Sequence, residues 1–233
     1  VPDLSNRLTP QIRSNNDKVL ISARKMFEEA LRDDSTFAPA YTGLAKTLKD
    51  LKVKRDSVLM FVEKALSYDN QLYDAWLLKG IYTSDSSKAL EYWNEALNIN
   101  PNSWEVYYEL GNKFNDLLQK IVNYHKAALL NHGPEYADIL FQLARTYRYA
   151  GFYKESDEIA RDALKVNSDT VQYLTNLTSC ESELGNDSSV FTALKKAYAI
   201  DSTNDVILPQ FGNYYLHLHN WEESIRYFKK NYA

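Results

Sequence analysis

The four histidines are the residues most able to bind a metal ion or transfer a proton. His217 and His219 are two residues apart, and two such rings on a helix point about 200° away from each other. His125 and His132 lack the carboxylate spacing of a zinc-binding helix motif. The sequence therefore predicts histidines at the surface or in packing contacts, with neither a metal ion nor a cofactor.

Adjacent acidic residues and the single cysteine could in principle carry catalysis. In pairs such as Glu222 and Glu223, the two side chains of a helix diverge by about 100°, which separates their carboxylates. These two acids are instead predicted to begin a helix, where negative charge is favourable. Cys180 has no histidine close to it in sequence. We therefore predict that the protein has no catalytic residues and is not an enzyme.

Composition narrows the class of protein further. Apolar residues make up 45% of the 233 residues and charged residues 25%, which excludes wholesale disorder. The net charge is −4, and the basic clusters Lys52–Arg55 and Lys229–Lys230 are too short to indicate a nucleic-acid-binding face. No apolar run is long enough to span a membrane. A lone cysteine favours a soluble protein of the reducing cytoplasm over the periplasm.

The elements that position these side chains repeat every 34 residues. Several independent positions share the period, which points to one structural unit used repeatedly. The equivalent positions are Leu140, Leu174 and Leu208; Leu143, Leu177 and Phe211; Gly151 and Gly185; and Ala163 and Ala197.

Each repeat contains two predicted helices. In Tyr136–Ala150, apolar residues recur at spacings of three and four, which makes one apolar stripe. Gly151 ends this helix, and Tyr153–Val166 forms the second. The small residues Ala160 and Ala163 lie where the second helix is expected to pack closely on the first. This register predicts twelve or thirteen helices and no sheet.

The same unit recurs upstream as Trp76 and Gly80, followed by Ala89, Trp93, Ala96 and Pro101. These residues resemble the tetratricopeptide repeat family, whose first helix carries an aromatic residue and Leu-Gly and whose second carries Ala, an aromatic residue, Ala and Pro. The resemblance implies an all-α, right-handed superhelical solenoid of antiparallel helix pairs with about six repeats. It covers residues 18–233 and leaves residues 1–17 as a lead-in segment.

Two segments add to the resemblance. Phe37–Ala45 and Leu97–Gly111 look like tetratricopeptide regions of larger bacterial regulatory proteins. We therefore expect the chain to be part of such a protein.

The resemblance also implies a concave groove lined by first helices that binds a peptide or a partner's helix. Residues flanking the packing stripe should face it, because they lie about 100° round the helix. Tyrosine and arginine are enriched at binding hot spots. Paired arginines would attract an acidic or carboxylate-bearing partner. The predicted binding residues are Tyr108, Asn112, Asn115, Phe141, Arg145, Arg148 and Tyr149.

Several partners remain open at the level of sequence. The chaperone-binding subgroup of the family binds a carboxylate with a set of Lys, Asn and Arg. In this sequence Tyr108 occupies the position where that set has a lysine beside Asn112. A chaperone adaptor is therefore not predicted. The leading hypothesis is a scaffold or adaptor that binds a protein or peptide and neither nucleic acid nor the membrane interior. The alternatives are a self-associating structural module and a sensor domain for a small ligand.

Overall fold

Helices form all the regular structure of the described chain. The computed structural model describes residues 10–167 and 171–232, with side chains from residue 17 onward. These residues contain thirteen α-helices and no strand, which confirms the predicted all-α fold. Within the same ranges, no helix has the length and apolarity that a membrane crossing requires.

The chain divides into two compact units, Val1–Lys113 and Phe114–Ala233. In the first unit each helix packs on the next along the chain. Residues 1–9 of the lead-in segment lie outside the described residues, and the first helix continues from residue 10 into the repeats. The helices of this unit are α1 (Pro10–Asp33), α2 (Ala38–Asp50), α3 (Arg55–Tyr68), α4 (Tyr73–Tyr82), α5 (Ser86–Ile99) and α6 (Trp104–Lys113).

The second unit is a run of helical hairpins packed in sequence order. Its most extensive contacts lie within the pairs α8 and α9, α10 and α11, and α12 and α13. The second helix of one pair then packs on the first helix of the next. The helices are α7 (Leu117–Leu130), α8 (Tyr136–Tyr149), α9 (Tyr153–Val166), α10 (Val171–Glu183), α11 (Asp187–Ile200), α12 (Ile207–His217) and α13 (Trp221–Asn231).

The turn inside each of these hairpins needs a left-handed residue. Gly151 and Gly185 adopt φ of +83° and +74°, a conformation that glycine enters at little cost. Gly151 N–H donates to the Arg148 carbonyl at 3.1 Å, which closes the end of α8. His219, a further 34 residues on, has φ of +57° although it carries a side chain. Turn geometry is therefore kept in the last hairpin at a cost of about 1 kcal/mol.

Close approach of two helices depends on a glycine, which has no side chain. A Cβ atom on Gly80 of α4 would lie 2.2 Å from Nε1 of Trp93 on α5. The Trp93 indole is buried, and its N–H donates to the Leu77 carbonyl at 3.3 Å. In the last hairpin, Gly212 and the Phe228 ring make the equivalent contact. The aromatic ring thus occupies the volume that the glycine leaves empty.

In two of the hairpins, a buried serine on the second helix bonds to the backbone of the first helix. The Ser156 hydroxyl on α9 donates to the Ala144 carbonyl on α8 at 2.7 Å. Ser224 on α13 donates to the Gly212 carbonyl on α12 at 2.9 Å. Both bonds link residues twelve apart, and the two serines are separated by twice the 34-residue period. The repeat therefore fixes polar as well as apolar contacts.

We expect Ala163→Trp to lower the free energy of unfolding by at least about 1–3 kcal/mol, because it overpacks a full interior. Ala163 is 1% exposed on α9, as its place in the sequence register predicts. Lys154 lies on the same helix and is exposed. Lys154→Ala should change stability by less than about 0.5 kcal/mol. Urea unfolding followed by circular dichroism measures both, and equal midpoint shifts would show the register to be wrong.

Candidate protein-interaction surface

The predicted binding residues fall in both compact units. Tyr108 and Asn112 belong to the first unit, whereas Asn115, Phe141 and the residues of the Arg145–Tyr149 turn belong to the second. The prediction that all of them share one concave surface spans the two units and stays a prediction.

In the first unit, α6 places its two predicted residues differently. Tyr108 is 8% exposed, and its ring lies edge-on to that of Trp104 with centroids 6.5 Å apart. Helix α6 contacts both α4 and α5, so a residue off the main stripe is also covered. Tyr108 is therefore largely buried, although the sequence register places it beside the packing stripe. Asn112 is exposed and donates to Oε2 of Glu109 at 3.4 Å.

In the second unit, two predicted residues lie outside the last turn of α8. Asn115 is exposed in the connection before α7. Phe141 is half-buried on α8, with its ring centroid 5.1 Å from that of Tyr173 on α10. Phe141 thus joins two first helices and leaves part of its ring at the surface.

The last turn of α8 presents a tyrosine between two arginines. Tyr149 is 57% exposed. The Arg145 and Arg148 guanidinium carbons lie 5.4 Å and 4.6 Å from the centre of its ring. Arg145 Nε also donates to the Tyr149 hydroxyl at 3.3 Å, and this bond lowers the pKa of the phenol. The three side chains therefore form one cationic and aromatic cluster, which we call the Arg-Tyr cluster.

Arg148 is held in place from the interior. Its Nε donates to Oδ1 of Asn176 on α10 at 3.0 Å. The Asn176 amide is buried and donates in turn to the Ser156 hydroxyl at 3.4 Å. Ser156 is anchored on the α8 backbone as described above. Arg148 is therefore positioned by groups from three helices before any partner binds.

A cleft of about 280 Å³ opens beside Arg148. The first helices α8, α10 and α12 and the start of α11 form its walls. Hydroxyls and amides dominate its lining, which suits hydrogen bonding to a polypeptide backbone. The lining residues are Arg148, Thr178, Ser179, Ser182, Glu183, Asp187, Val190, Gln210, Asn213, Tyr214 and His217.

The α12 side of this cleft is absent from the predicted binding residues, although the 34-residue period contains the signal. Adding 34 to Arg145 gives Ser179, and a second step gives Asn213. Two steps from Tyr149 lead to His217. Because the repeat places equivalent residues on equivalent faces, extending the predicted set by two periods leads to the α12 residues.

Charge along the cleft is not uniform. Arg148, the member of the Arg-Tyr cluster that lines the cleft, makes its α8 side cationic. Glu183 and Asp187 line the same cleft, and His217 Nε2 lies 3.7 Å from Oδ1 of Asp187. Gln210 Oε1 is buried and has no hydrogen-bond partner among the described residues. The cleft therefore has a cation on its α8 side and acidic groups on its α10 and α11 sides.

The groups first considered for chemistry lie apart from one another. His125 shares a hydrogen bond of 2.8 Å with the Tyr147 hydroxyl, and burial lowers the pKa of this histidine. Cys180 is buried, and burial raises the pKa of its thiol. Across the described ranges, no three His, Cys, Asp or Glu side chains converge into a possible metal site.

Comparison with known proteins identifies the architecture. No protein-family model and no curated protein sequence matches the chain. Among solved structures, it is similar to PilW, a type IV pilus biogenesis factor, with a TM-score of 0.72 and 17% identity over 83% of this chain and 91% of PilW. PilF of Pseudomonas aeruginosa gives a TM-score of 0.71 and 13% identity over 83% and 89% of the two chains.

A further similar structure is the C-terminal part of a repeat-containing protein from Cytophaga hutchinsonii. Its TM-score is 0.68 at 13% identity, over 93% of this chain and 90% of that one. At such identities the likeness establishes the fold and leaves the activity open. The helical hairpins, their 34-residue register and these similarities together show that the chain has the tetratricopeptide-repeat fold.

Proposed function

We propose that this protein is a non-catalytic scaffold that binds a segment of another protein in the cleft between α8, α10 and α12. The observation that carries the proposal is the fixed position of Arg148. Its guanidinium lines the cleft while Asn176 holds it from the interior. A cation ordered in advance loses less conformational entropy on binding, so more of its interaction energy contributes to affinity.

The shape and lining of the cleft favour a peptide over a small molecule. Several side chains along it can donate or accept hydrogen bonds, including Ser179 and Asn213. Gln210 also lines the cleft, and its amide carries both donors and an acceptor. An extended peptide carries such donors and acceptors at regular intervals, whereas a small ligand fits best in an enclosed and mostly apolar pocket.

The Arg-Tyr cluster specifies the chemistry of one end of the peptide. Two guanidinium groups and an exposed ring favour a carboxylate, from an acidic side chain or from a chain terminus. Glu183 and Asp187 disfavour further acidic residues towards α11. We therefore place one acidic group of the partner at α8 and neutral or basic residues beyond it.

The proposal rests on the second unit alone. Tyr108 and Asn112 belong to the first unit, and the proposed binding site does not include them. The resemblance of Phe37–Ala45 and Leu97–Gly111 to regions of bacterial regulatory proteins suggests a setting. There the cleft would recruit the partner on which a larger regulator acts.

Self-association is a second candidate function, favoured by helix α13. Trp221 and Ile225 are 57% and 52% exposed, and Tyr232 just beyond the helix is 87% exposed. Their spacing places them on one face, because steps of four and seven residues return to the same side of a helix. Burying such a face against a second copy of the chain would be favourable.

Peptides selected from a random display library on the wild-type protein should carry an acidic residue or a free terminal carboxylate. Arg148→Ala/Tyr149→Ala should weaken their binding about tenfold or more, because truncation of a central hot spot costs at least about 1–2 kcal/mol. Fluorescence anisotropy with the selected peptides measures the effect.

The matched control is Arg226→Ala/Tyr232→Ala, which removes an exposed arginine and an exposed tyrosine from α13 and its end. This variant should bind like the wild type. Equal loss in both variants, or selected peptides without any carboxylate preference, would rule out the Arg-Tyr cluster as the binding site.

Asn176→Ala should weaken binding of the same peptides about fivefold by releasing Arg148, since a hydrogen bond to a charged group contributes about 1 kcal/mol or more. The effect should disappear in an Arg148→Ala background, because Asn176 acts through that arginine. A double-mutant cycle tests this coupling. If Asn176→Ala costs the same in both backgrounds, Asn176 has no positioning role.

Self-association through α13 predicts a concentration-dependent dimer in sedimentation velocity that Trp221→Ser/Ile225→Ser abolishes. The control is Leu118→Ser/Leu129→Ser, which removes two exposed leucines from α7. A protein that stays monomeric at all concentrations, or a dimer insensitive to the α13 changes, argues against this function.

A further inference from the structure

A second groove of the same unit lies between the second helices α9 and α11. Its volume is about 480 Å³, larger than that of the cleft beside Arg148. Leu174 and Leu177 of α10 contribute to its floor, together with Leu164 and Ala193 from the two walls. None of the residues in the proposed peptide site lines it.

The groove is open because α11 carries small side chains along one edge. Ser188, Ser189 and Thr192 line it at positions where longer side chains would reach across to α9. Ser188 and Thr192 lie one turn apart, and the Thr192 hydroxyl donates to the Ser188 carbonyl at 2.8 Å. The Thr192 hydroxyl therefore lies close to the helix backbone. Leu174 and Leu177 below are 3% and 6% exposed, so Leu164, which is half-buried, contributes most of the leucine surface that a partner can reach.

Both rims of the groove are cationic. Arg161 and Lys165 line it from α9, and Lys196 lines it from α11, with no acidic side chain among the lining residues. Lys165 pairs with Asp162, one turn back on α9, at 2.7 Å. Lys196 forms no ion pair with any described residue.

Arg161 has a fixed position on its rim. Its Nε donates to Asp157 Oδ2 at 2.8 Å, and its guanidinium also pairs with Glu181 of α10. Glu181 is 2% exposed and accepts a further bond of 2.6 Å from the Asn186 amide. The Arg161 side chain nevertheless remains 47% exposed, so one face of it is open to a partner.

We propose that this groove binds an amphipathic helix of a partner protein whose apolar stripe is flanked by acidic residues. The stripe would pack on Leu164 and the exposed edges of the floor, and the acids would meet Arg161 and Lys165 on one side and Lys196 on the other. Helices α9 and α11 are each 14 residues long, so a helix of three to four turns fits between them. An inorganic anion would leave Leu164 uncovered and could not reach cations on both rims at once, which is why a helix is the better occupant.

The two binding modes use opposite kinds of helix in the hairpin. The peptide cleft is lined mainly by first helices, with the start of α11, whereas second helices form the walls of this groove above a floor from α10. One unit could therefore hold two partners at once, which is the property of an adaptor. The groove does not include the Arg-Tyr cluster. An experiment can therefore disprove helix binding in the groove without disproving peptide binding in the cleft, and the reverse.

The probe is a synthetic, fluorescein-labelled helical peptide of about 16 residues, with leucines on one face and glutamates flanking them. We expect saturable binding in fluorescence anisotropy, weakened about fivefold or more by Lys196→Glu because attraction becomes repulsion. Lys195→Glu is the matched control. It makes the same change of charge one position away, on a residue that does not line the groove and whose Nζ lies 5.5 Å from the centre of the Phe191 ring.

Thr192→Trp tests the groove itself. Thr192 is exposed, so the indole should fill the groove and block the peptide without disturbing the core. Urea unfolding of this variant should match that of the wild type. Arg148→Ala/Tyr149→Ala should bind the probe normally.

The controls define what overturns the proposal. Equal losses for Lys196→Glu and Lys195→Glu would mean that only net charge matters. Equal binding of a peptide with lysines in place of the glutamates would remove the charge complementarity. Unchanged binding by folded Thr192→Trp would place the peptide elsewhere, and competition by inorganic phosphate alone at low millimolar concentration would replace the helix with a simple anion site.

Discussion

A helical hairpin of this chain cannot bury its own apolar face, and the rest of the structure depends on that constraint. Ala144 and Ala160 lie at the contact between α8 and α9, and both are almost fully buried. The cluster that contains them is completed by Leu177 and Ala193 of the following hairpin. Stability in such an array is close to a sum of intrinsic and neighbour terms. Each hairpin is therefore ordered by the next, and side chains off the contact are free to vary.

That freedom explains how two differently charged surfaces coexist in one unit. The contact stripe occupies one side of each helix, so the remaining sides of first and second helices diverge. Arg148 on α8 is directed to one cleft, and Arg161 on α9 lines another. Both arginines are held by partners on α10, Asn176 and Glu181. One first helix thus organises the cations of both surfaces, although the net charge of the whole protein is negative.

The fold was predictable because its signal is spread over many equivalent positions, such as Leu140, Leu174 and Leu208. The surface was less predictable, because single positions decide it. The sequence register places Tyr107 on the packing stripe and Tyr108 beside it, whereas Tyr108 is 8% exposed in the structure. Asn176 was also missed as a supporting residue. A polar residue reads as exposed in an apolar pattern, and only the packed structure reveals that it is enclosed and paired.

The buried polar chain from Arg148 through Asn176 to Ser156 has a consequence for how the repeats find one another. Near-identical apolar stripes make hairpins interchangeable, so a growing chain could join one repeat to the wrong neighbour at little loss of hydrophobic burial. A polar group enclosed without its partner costs about 1–3 kcal/mol, which makes the mismatch unfavourable. Asn176 is satisfied only when α10 meets α8 and α9 in the native order. These few polar atoms therefore distinguish the contact of α10 with the α8–α9 hairpin from the other contacts of a repetitive chain.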